Sequence, residues 1–124
     1  MDKKVILLKR GIEPQKGRWV VPGGYVDRGE IPGSAAIRET REECGIEIKI
    51  NRLFGVYSYT GLTDVVMFFI GDYMSGDLTA GDETSEFITV GCDEIPWDRL
   101  AFRSTTDALK DYCEFKKEHK KGER

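Results

Sequence analysis

The stretch that decides the fold of this 124-residue chain is residues 24–46, GYVDRGEIPGSAAIRETREECGI. Three of its four glycines and its only proline lie before residue 35, and they predict a loop. The second half has apolar spacing that is typical of one helix face, carried by Ala36, Ile37, Thr40 and Cys44. Gly45 stands where a glycine commonly follows the last turn of a helix. The stretch therefore predicts a loop that leads into an amphipathic helix.

Three carboxylates lie on the polar side of this predicted helix. Glu39, Glu42 and Glu43 are spaced i, i+3 and i+4, so their side chains project from one face. Like charges at this spacing destabilise a helix, and their clustering suggests that cations compensate them. The alternative is an ordinary solvated acidic face, because glutamate is common on helix surfaces. From these residues alone, both readings stay open.

The wider pattern is Gly24-x5-Glu30-x7-Arg38-Glu39-Thr40-x-Glu42-Glu43-x-Gly45-Ile46, which resembles the Nudix box. A match of this length is far more specific than a lone glycine motif. The resemblance implies a hydrolase that cuts nucleoside diphosphates linked to another moiety. One position departs from the pattern: Thr40 replaces a larger aliphatic residue. Since Thr40 points to the core side, we expect this change to affect packing more than metal binding.

The resemblance also implies a metal site and its support. Glu39, Glu42 and Glu43 become ligands of Mg²⁺, with Mn²⁺ as an alternative, and the Gly24 carbonyl is a further ligand. Glu30 and Arg38 are expected to form an ion pair that fixes the loop on the helix. Mg²⁺ prefers oxygen ligands and keeps several waters, which suits this set. A histidine-based zinc site is excluded, because the single histidine lies in the tail at position 119.

A general base is expected outside the box. The box glutamates are occupied by cations, and this lowers their basicity, so a neighbouring carboxylate would activate water. We predict Glu86, which opens a predicted strand, and keep Glu83, in the preceding loop, as the alternative. Both could also be ordinary solvated charges.

Candidate contacts to the substrate lie before and after the box. Basic residues near the predicted first strands could meet phosphate, and we name Arg10 and Arg18. Trp19 could stack on a base, but core packing is the favoured reading. Phe102 is ambiguous in the same way.

The leading substrate is an ADP-ribose-like nucleotide derivative. The residues Tyr59-Thr60-Gly61 replace a proline that is common beyond the box in ADP-ribose hydrolases. A tyrosine associated with dinucleoside polyphosphate hydrolases is absent at Leu62-Thr63. A hydrolase of free or oxidised nucleoside triphosphates is therefore the nearest rival. The rival from another class is a Nudix-like ligand-binding module without catalysis.

The rest of the chain predicts one α/β (α+β) domain over residues 1–124. Predicted strands cover residues 4–9, 18–21, 47–54, 63–73 and 86–90, and a capping box at residues 104–107 predicts a last helix. The order β-β-α-β-β-β-α implies a mixed sheet sandwiched between helices. The apolar run at residues 65–70 predicts a central strand buried on both faces.

Composition limits the partners and the compartment. The net charge is −3, from 19 basic and 22 acidic residues, which argues against general affinity for nucleic acid. No apolar run is long enough to span a membrane. Cys44, Cys92 and Cys113 are read as reduced thiols, so we expect a cytoplasmic protein. Many members that the chain resembles have a further strand before residues 4–9. The edge left open there predicts a homodimer.

Overall fold

A computed structural model describes residues 4–122, with the side chains of residues 4–119. The elements follow one another as β1 (Val5–Arg10), β2 (Trp19–Val20), α1 (Pro32–Cys44), β3 (Glu47–Tyr57), β4 (Val66–Ser75), β5 (Thr84–Val90) and α2 (Arg103–Gly122). Two short 3-10 turns, Cys92–Glu94 and Trp97–Arg99, precede α2. The predicted order of strands and helices is confirmed. The last helix begins at Arg103, so the predicted capping residues lie inside its first turns.

The described strands form two sheets. In the first, β1 lies between β2 and β5 and is antiparallel to both; in the second, β3 pairs antiparallel with β4. A parallel bridge joins Trp19 to Leu100. The α+β class, with two helices and strands of mixed direction, is confirmed. The edge expected to be open beside β1 is partly covered: β5 pairs with β1 along its length on one side, and β2 pairs with Leu8 and Lys9 on the other.

The first sheet is packed on both faces. Leu7 is fully buried in a cluster with Trp19, Ile95, Leu100 and Leu109, the last of which belongs to α2. Leu8, on the opposite face, is buried with Cys44 and Ile46 at the end of α1. Because neighbouring residues of a strand point to opposite faces, β1 holds α1 on one side and α2 on the other.

The strand β4 is more exposed than its sequence predicts. Within the described residues it pairs only with β3, and Met67 is 39% exposed. The expectation of a strand buried on both faces is therefore wrong. A cleft of about 910 Å³ lies between the two sheets, and apolar residues of β1, β3 and β4 line much of it. The apolar run of β4 borders open space instead of a second packed strand.

The cysteine expectation is also corrected. Cys92 and Cys113 form a disulfide between the first 3-10 turn and α2, with Cα atoms 5.8 Å apart. Cys44 is buried and free, as expected. The two bonded residues are 21 positions apart, and only the folded chain brings them together. The cytoplasmic location rests on the expectation of reduced thiols, and it stays a prediction.

Within residues 4–122, no helix is both long and apolar enough to cross a bilayer.

Candidate active site

The helix α1 holds the box carboxylates in place through its ends and its buried face. Pro32 occupies the first turn, where its missing N–H costs nothing. Gly45 ends the helix with φ 77°, a left-handed conformation that favours glycine, and its N–H donates to the Arg41 carbonyl. Thr40 is buried, and its hydroxyl donates to the Ala36 carbonyl at 2.7 Å. The departure at Thr40 is thus absorbed on the core side, as expected.

Arg38 ties the preceding loop to the helix. Its Nε and Nη2 donate to the two carboxylate oxygens of Glu30 at 2.9 and 3.0 Å, and Nη2 also donates to the Tyr25 carbonyl. This bidentate geometry is the strong form of an arginine–carboxylate pair. The hydrogen bond from Arg38 lowers the pKa of Glu30, with help from the Asp27 N–H. The predicted ion pair is present, and it fixes the loop on α1.

The carboxylates of α1 meet the glycine loop directly. Glu43 Oε1 accepts the Gly23 N–H at 2.9 Å. The Glu39 carboxylate lies so close to Gly24 that an added Cβ there would overlap its oxygen. Glu42 is more exposed and accepts from Arg38 Nη1 at 3.3 Å. A side chain at position 24 would therefore push the Glu39 carboxylate away from its place beside the loop.

The site holds more negative charge than its own cations relieve. Burial raises the pKa of Glu43 to about 7, and the charges of Glu39 and Glu83 act in the same direction. The Gly23 N–H and Arg10 oppose the shift only in part. Burial likewise raises the pKa of Glu39, against the lowering effect of Arg38. A bound cation would remove this penalty.

The donor set fits a hard divalent cation that shares its shell with the substrate. Among the described side chains, no three His, Cys, Asp or Glu residues are gathered as a ready-made metal site. Mg²⁺ does not need one, since one or two carboxylates, waters and substrate phosphates usually complete its octahedron. Glu39 and Glu43, both drawn to the glycine loop, are the best placed ligands, with Glu42 and the Gly24 carbonyl beside them.

The two candidate bases lie on different sides of the first sheet. Glu86 pairs in register with Lys9, and its neighbour Phe87 packs on the Leu8 cluster next to α1. Because residues of a strand alternate, Glu86 points away from α1. Glu83 lines the cleft, and its charge raises the pKa of Glu43. Its carbonyl accepts the Gly11 N–H at 2.9 Å, which anchors the loop. The structure thus brings Glu83, and not Glu86, to the box carboxylates.

The candidate substrate contacts separate into two pairs. Arg10 and Phe102 line the same cleft as Glu43, with the Arg10 guanidinium 5.3 Å from the Phe102 ring centre. Trp19 is only 7% exposed and packs around Leu7, so packing accounts for it and stacking on a base is disfavoured. Arg18 donates to the Asp98 carbonyl at 3.1 Å. Arg10 and Phe102 therefore remain as candidates at the site.

Two further residues of the cleft are not among the predicted site residues. Tyr59 follows β3 and Arg103 opens α2, and both line the cleft. Their guanidinium-to-ring distance is 4.3 Å. An aromatic residue in a loop carries no periodic signal, so only the fold reveals this pair.

Comparison with known proteins places this geometry in a family. The NUDIX domain matches residues 1–111. An ADP-ribose pyrophosphatase of Methanocaldococcus jannaschii is 36% identical over 119 residues, which cover 93% of this chain and 69% of that protein. The human diphosphoinositol polyphosphate phosphohydrolase 3-alpha is 43% identical over 56 residues, covering 45% of this chain and 33% of the relative.

Solved structures agree with the sequence relatives. A NUDIX hydrolase from Nitrosomonas europaea superposes with a TM-score of 0.86 at 38% identity, covering 92% of this chain and 65% of that one. A MutT NUDIX hydrolase from Burkholderia pseudomallei gives a TM-score of 0.78 at 27% identity, covering 90% and 89% of the two chains. The chain belongs to the Nudix hydrolase family. It spans a third to about two thirds of the length of several of these relatives.

Proposed function

We propose that this chain is a Mg²⁺-dependent pyrophosphohydrolase that cleaves a nucleoside diphosphate linked to another moiety. The observation that carries the proposal is the gathering of Glu39 and Glu43 against the Gly23-Gly24 turn, where burial raises the pKa of both carboxyls. Because burial disfavours their uncompensated negative charge, these carboxylates are suited to bind a divalent cation together with its diphosphate. The ADP-ribose pyrophosphatase of M. jannaschii supports an ADP-ribose-like substrate as the leading choice.

Each residue of the site has a separate task in this proposal. Glu39 and Glu43, with Glu42 and the Gly24 carbonyl, would hold Mg²⁺ or Mn²⁺. The metal would supply charge neutralisation of the diphosphate and orientation of the attacking water. Arg38 acts through Glu30 and the Tyr25 carbonyl, and keeps the glycine loop in register with the helix. Arg10 donates from Nε to the Pro14 carbonyl, and its terminal nitrogens would bind a phosphate oxygen in the cleft.

For the general base we propose Glu83, the alternative that the sequence leaves open, in place of Glu86. Its support is the position of Glu83 in the cleft and its electrostatic contact with Glu43. A base must come within hydrogen-bond reach of the water that it deprotonates, directly or through one further water. Glu86 faces the other side of the sheet, and reaching the box carboxylates would require a rearranged strand.

The test is a panel of substrates with Mg²⁺ followed by identification of the products. The panel should contain ADP-ribose, a nucleoside triphosphate and a diphosphoinositol polyphosphate, because the relatives point to the first and the last. We expect ADP-ribose to give AMP and ribose 5-phosphate. Preferred release of pyrophosphate from the triphosphate would favour the nearest rival. No turnover of any member would favour a ligand-binding module without catalysis.

We also propose self-association, through a different edge from the one that the sequence suggests. The strand β4 is paired on one side by β3, and apolar residues at its start are exposed: Val65 is 64% and Met67 39% exposed. An apolar strand with a free edge is a template for a second strand. Antiparallel pairing of two copies of β4 across a two-fold axis would close that edge.

A further inference from the structure

A second group of side chains lies in the cleft away from the box. Arg103 is held beside the Tyr59 ring, at 4.3 Å, by a shared partner. Asp107 accepts the Tyr59 hydroxyl at 2.7 Å and forms an ion pair with Arg103 at 3.7 Å. The two planar groups, here called the Tyr59–Arg103 platform, are therefore fixed relative to α2. The Arg103 side chain is still 72% exposed, which leaves the platform accessible.

Arg10 connects this region to the box carboxylates. Its guanidinium lies 5.3 Å from the Phe102 ring centre, and its charge acts on Glu43. Its Nε also donates to the Pro14 carbonyl at 2.6 Å, which anchors it in this position. Phe102 precedes Arg103 in sequence, and its ring is 38% exposed. A ligand that fills the cleft from Glu43 to Phe102 would meet acidic, basic and aromatic groups in turn.

We infer that Phe102 and the Tyr59–Arg103 platform form a nucleobase subsite, and that Arg10 binds the diphosphate between this subsite and the metal-binding carboxylates. The inference rests on the proposed function and specifies its substrate class. Aromatic faces and arginine planes accept a base by stacking, whichever base it is. Arg10 lies beside the Phe102 ring and its charge acts on Glu43, so a nucleoside diphosphate could place its base on the aromatic groups and its phosphates near Arg10 and the carboxylates.

The charge of the cleft argues against a polyphosphorylated inositol, the substrate class in the name of the human relatives. Among the described residues, the cleft lining contains Lys4, Lys9, Arg10 and Arg103 as basic side chains and Glu43, Asp64 and Glu83 as acidic ones. Arg103 is already paired with Asp107, and the charge of Arg10 already acts on Glu43. A ligand with many phosphates and no aromatic ring would gain little here, because it has no ring to stack on the exposed part of Phe102.

The experiment compares a substrate that has a base with one that lacks it. Steady-state kinetics with Mg²⁺ on ADP-ribose and on a diphosphoinositol polyphosphate would be measured for Phe102→Leu and Phe102→Tyr. We expect Phe102→Leu to raise KM for ADP-ribose roughly tenfold with kcat nearly unchanged, because one stacked base is lost. Phe102→Tyr keeps the ring and should restore KM. Tyr73→Leu, at an exposed aromatic residue outside this lining, is the matched control.

A second variant and a binding measurement keep the test decisive. Arg103→Gln alters an exposed side chain, so folding should persist, and KM for ADP-ribose should rise about threefold to tenfold. Calorimetry with AMP should show the same losses of affinity for Phe102→Leu and Arg103→Gln without any turnover. Unchanged KM and AMP affinity in both variants would overturn the subsite. So would an equal rise in KM for the inositol substrate. If no substrate is turned over and AMP binding still depends on Phe102, the proposed hydrolase activity is contradicted and the nucleobase subsite is supported.

Discussion

The helix α1 with its loop and the strand pair β3–β4 differ in how completely their interactions are satisfied. In α1 the C-terminal end, the buried face and the preceding loop have assigned partners, down to the contact of Glu39 with Gly24. The pair β3–β4 is antiparallel with three register shifts along its length, and it leaves an apolar cleft and a free edge. The first region is held in place by contacts within this chain and lacks only compensation of its acidic charge, whereas the second has apolar surface that a partner could cover.

The largest effect should come from Glu83, the carboxylate outside the box that we propose as the general base. Glu83→Gln should lower kcat by roughly 10²–10⁴ with little change in Mg²⁺ affinity, because it removes a proton acceptor and keeps the side-chain shape. Glu86→Gln, three residues away on the opposite face, is the matched control and should cost less than about threefold. The measurement is single-turnover hydrolysis of ADP-ribose at saturating Mg²⁺. A larger loss of kcat for Glu86→Gln than for Glu83→Gln would assign the general base to Glu86. Small losses in both variants would indicate that the box residues alone carry out catalysis.

The next largest effect concerns stability at the far side of the first sheet. Reduction of the Cys92–Cys113 disulfide should lower the free energy of unfolding by about 3 kcal/mol, the cost of releasing a loop of this size in the unfolded chain. Urea unfolding with and without reductant measures it. The double variant Cys92→Ser with Cys113→Ser should match the reduced protein and no longer respond to reductant. A reductant-independent midpoint in the original chain, with three titratable thiols, would show that the bond does not form.

Local patterns predict the first region well and the second poorly, for physical reasons. The helix spacing, the Gly45 terminus and the Glu30–Arg38 pair depend on residues within a few turns of one another. The burial of β4 depends on which strand comes to lie beside it, and the apolar run at residues 65–70 does not specify that. The face of Glu86 depends on the register between β5 and β1. The Cys92–Cys113 bond likewise depends on how the fold brings together two residues that are 21 positions apart in sequence.

A third prediction tests the metal site itself. Glu43→Gln should weaken Mg²⁺ binding by at least about tenfold to a hundredfold, the range seen when the support of a metal ligand is removed. The fold should persist, because the amide keeps the size of the side chain and loses a charge whose burial is unfavourable. Titration with Mg²⁺, followed by activity and by thermal shift, measures both. Glu114→Gln, on the exposed side of α2, is the control. Undiminished Mg²⁺-dependent turnover would contradict the assignment.

A fourth prediction follows from the direction of the pKa shift. Burial raises the pKa of Glu43 to about 7, so protons compete with Mg²⁺ below that value. The apparent Mg²⁺ affinity should rise as the pH increases toward about 7, by up to about tenfold per unit, and then level off. Isothermal titration in buffers of different ionisation enthalpy would measure the affinity and the released proton. Glu43→Gln should flatten the profile, and an unchanged slope would assign the proton to another group.

The smallest expected effect bears on the free edge of β4. If two copies pair there, Met67→Lys places a like charge in both copies near the shared edge and should weaken the dimer by up to about fivefold, the cost of like charges on neighbouring strands. Thr89→Lys puts the same charge on β5, outside that edge, and is the control. Light scattering across a dilution series at micromolar concentrations measures both. A monomer at every concentration in the unaltered chain would contradict self-association. The edge of β4 opposite β3 would then stay unpaired among the described strands.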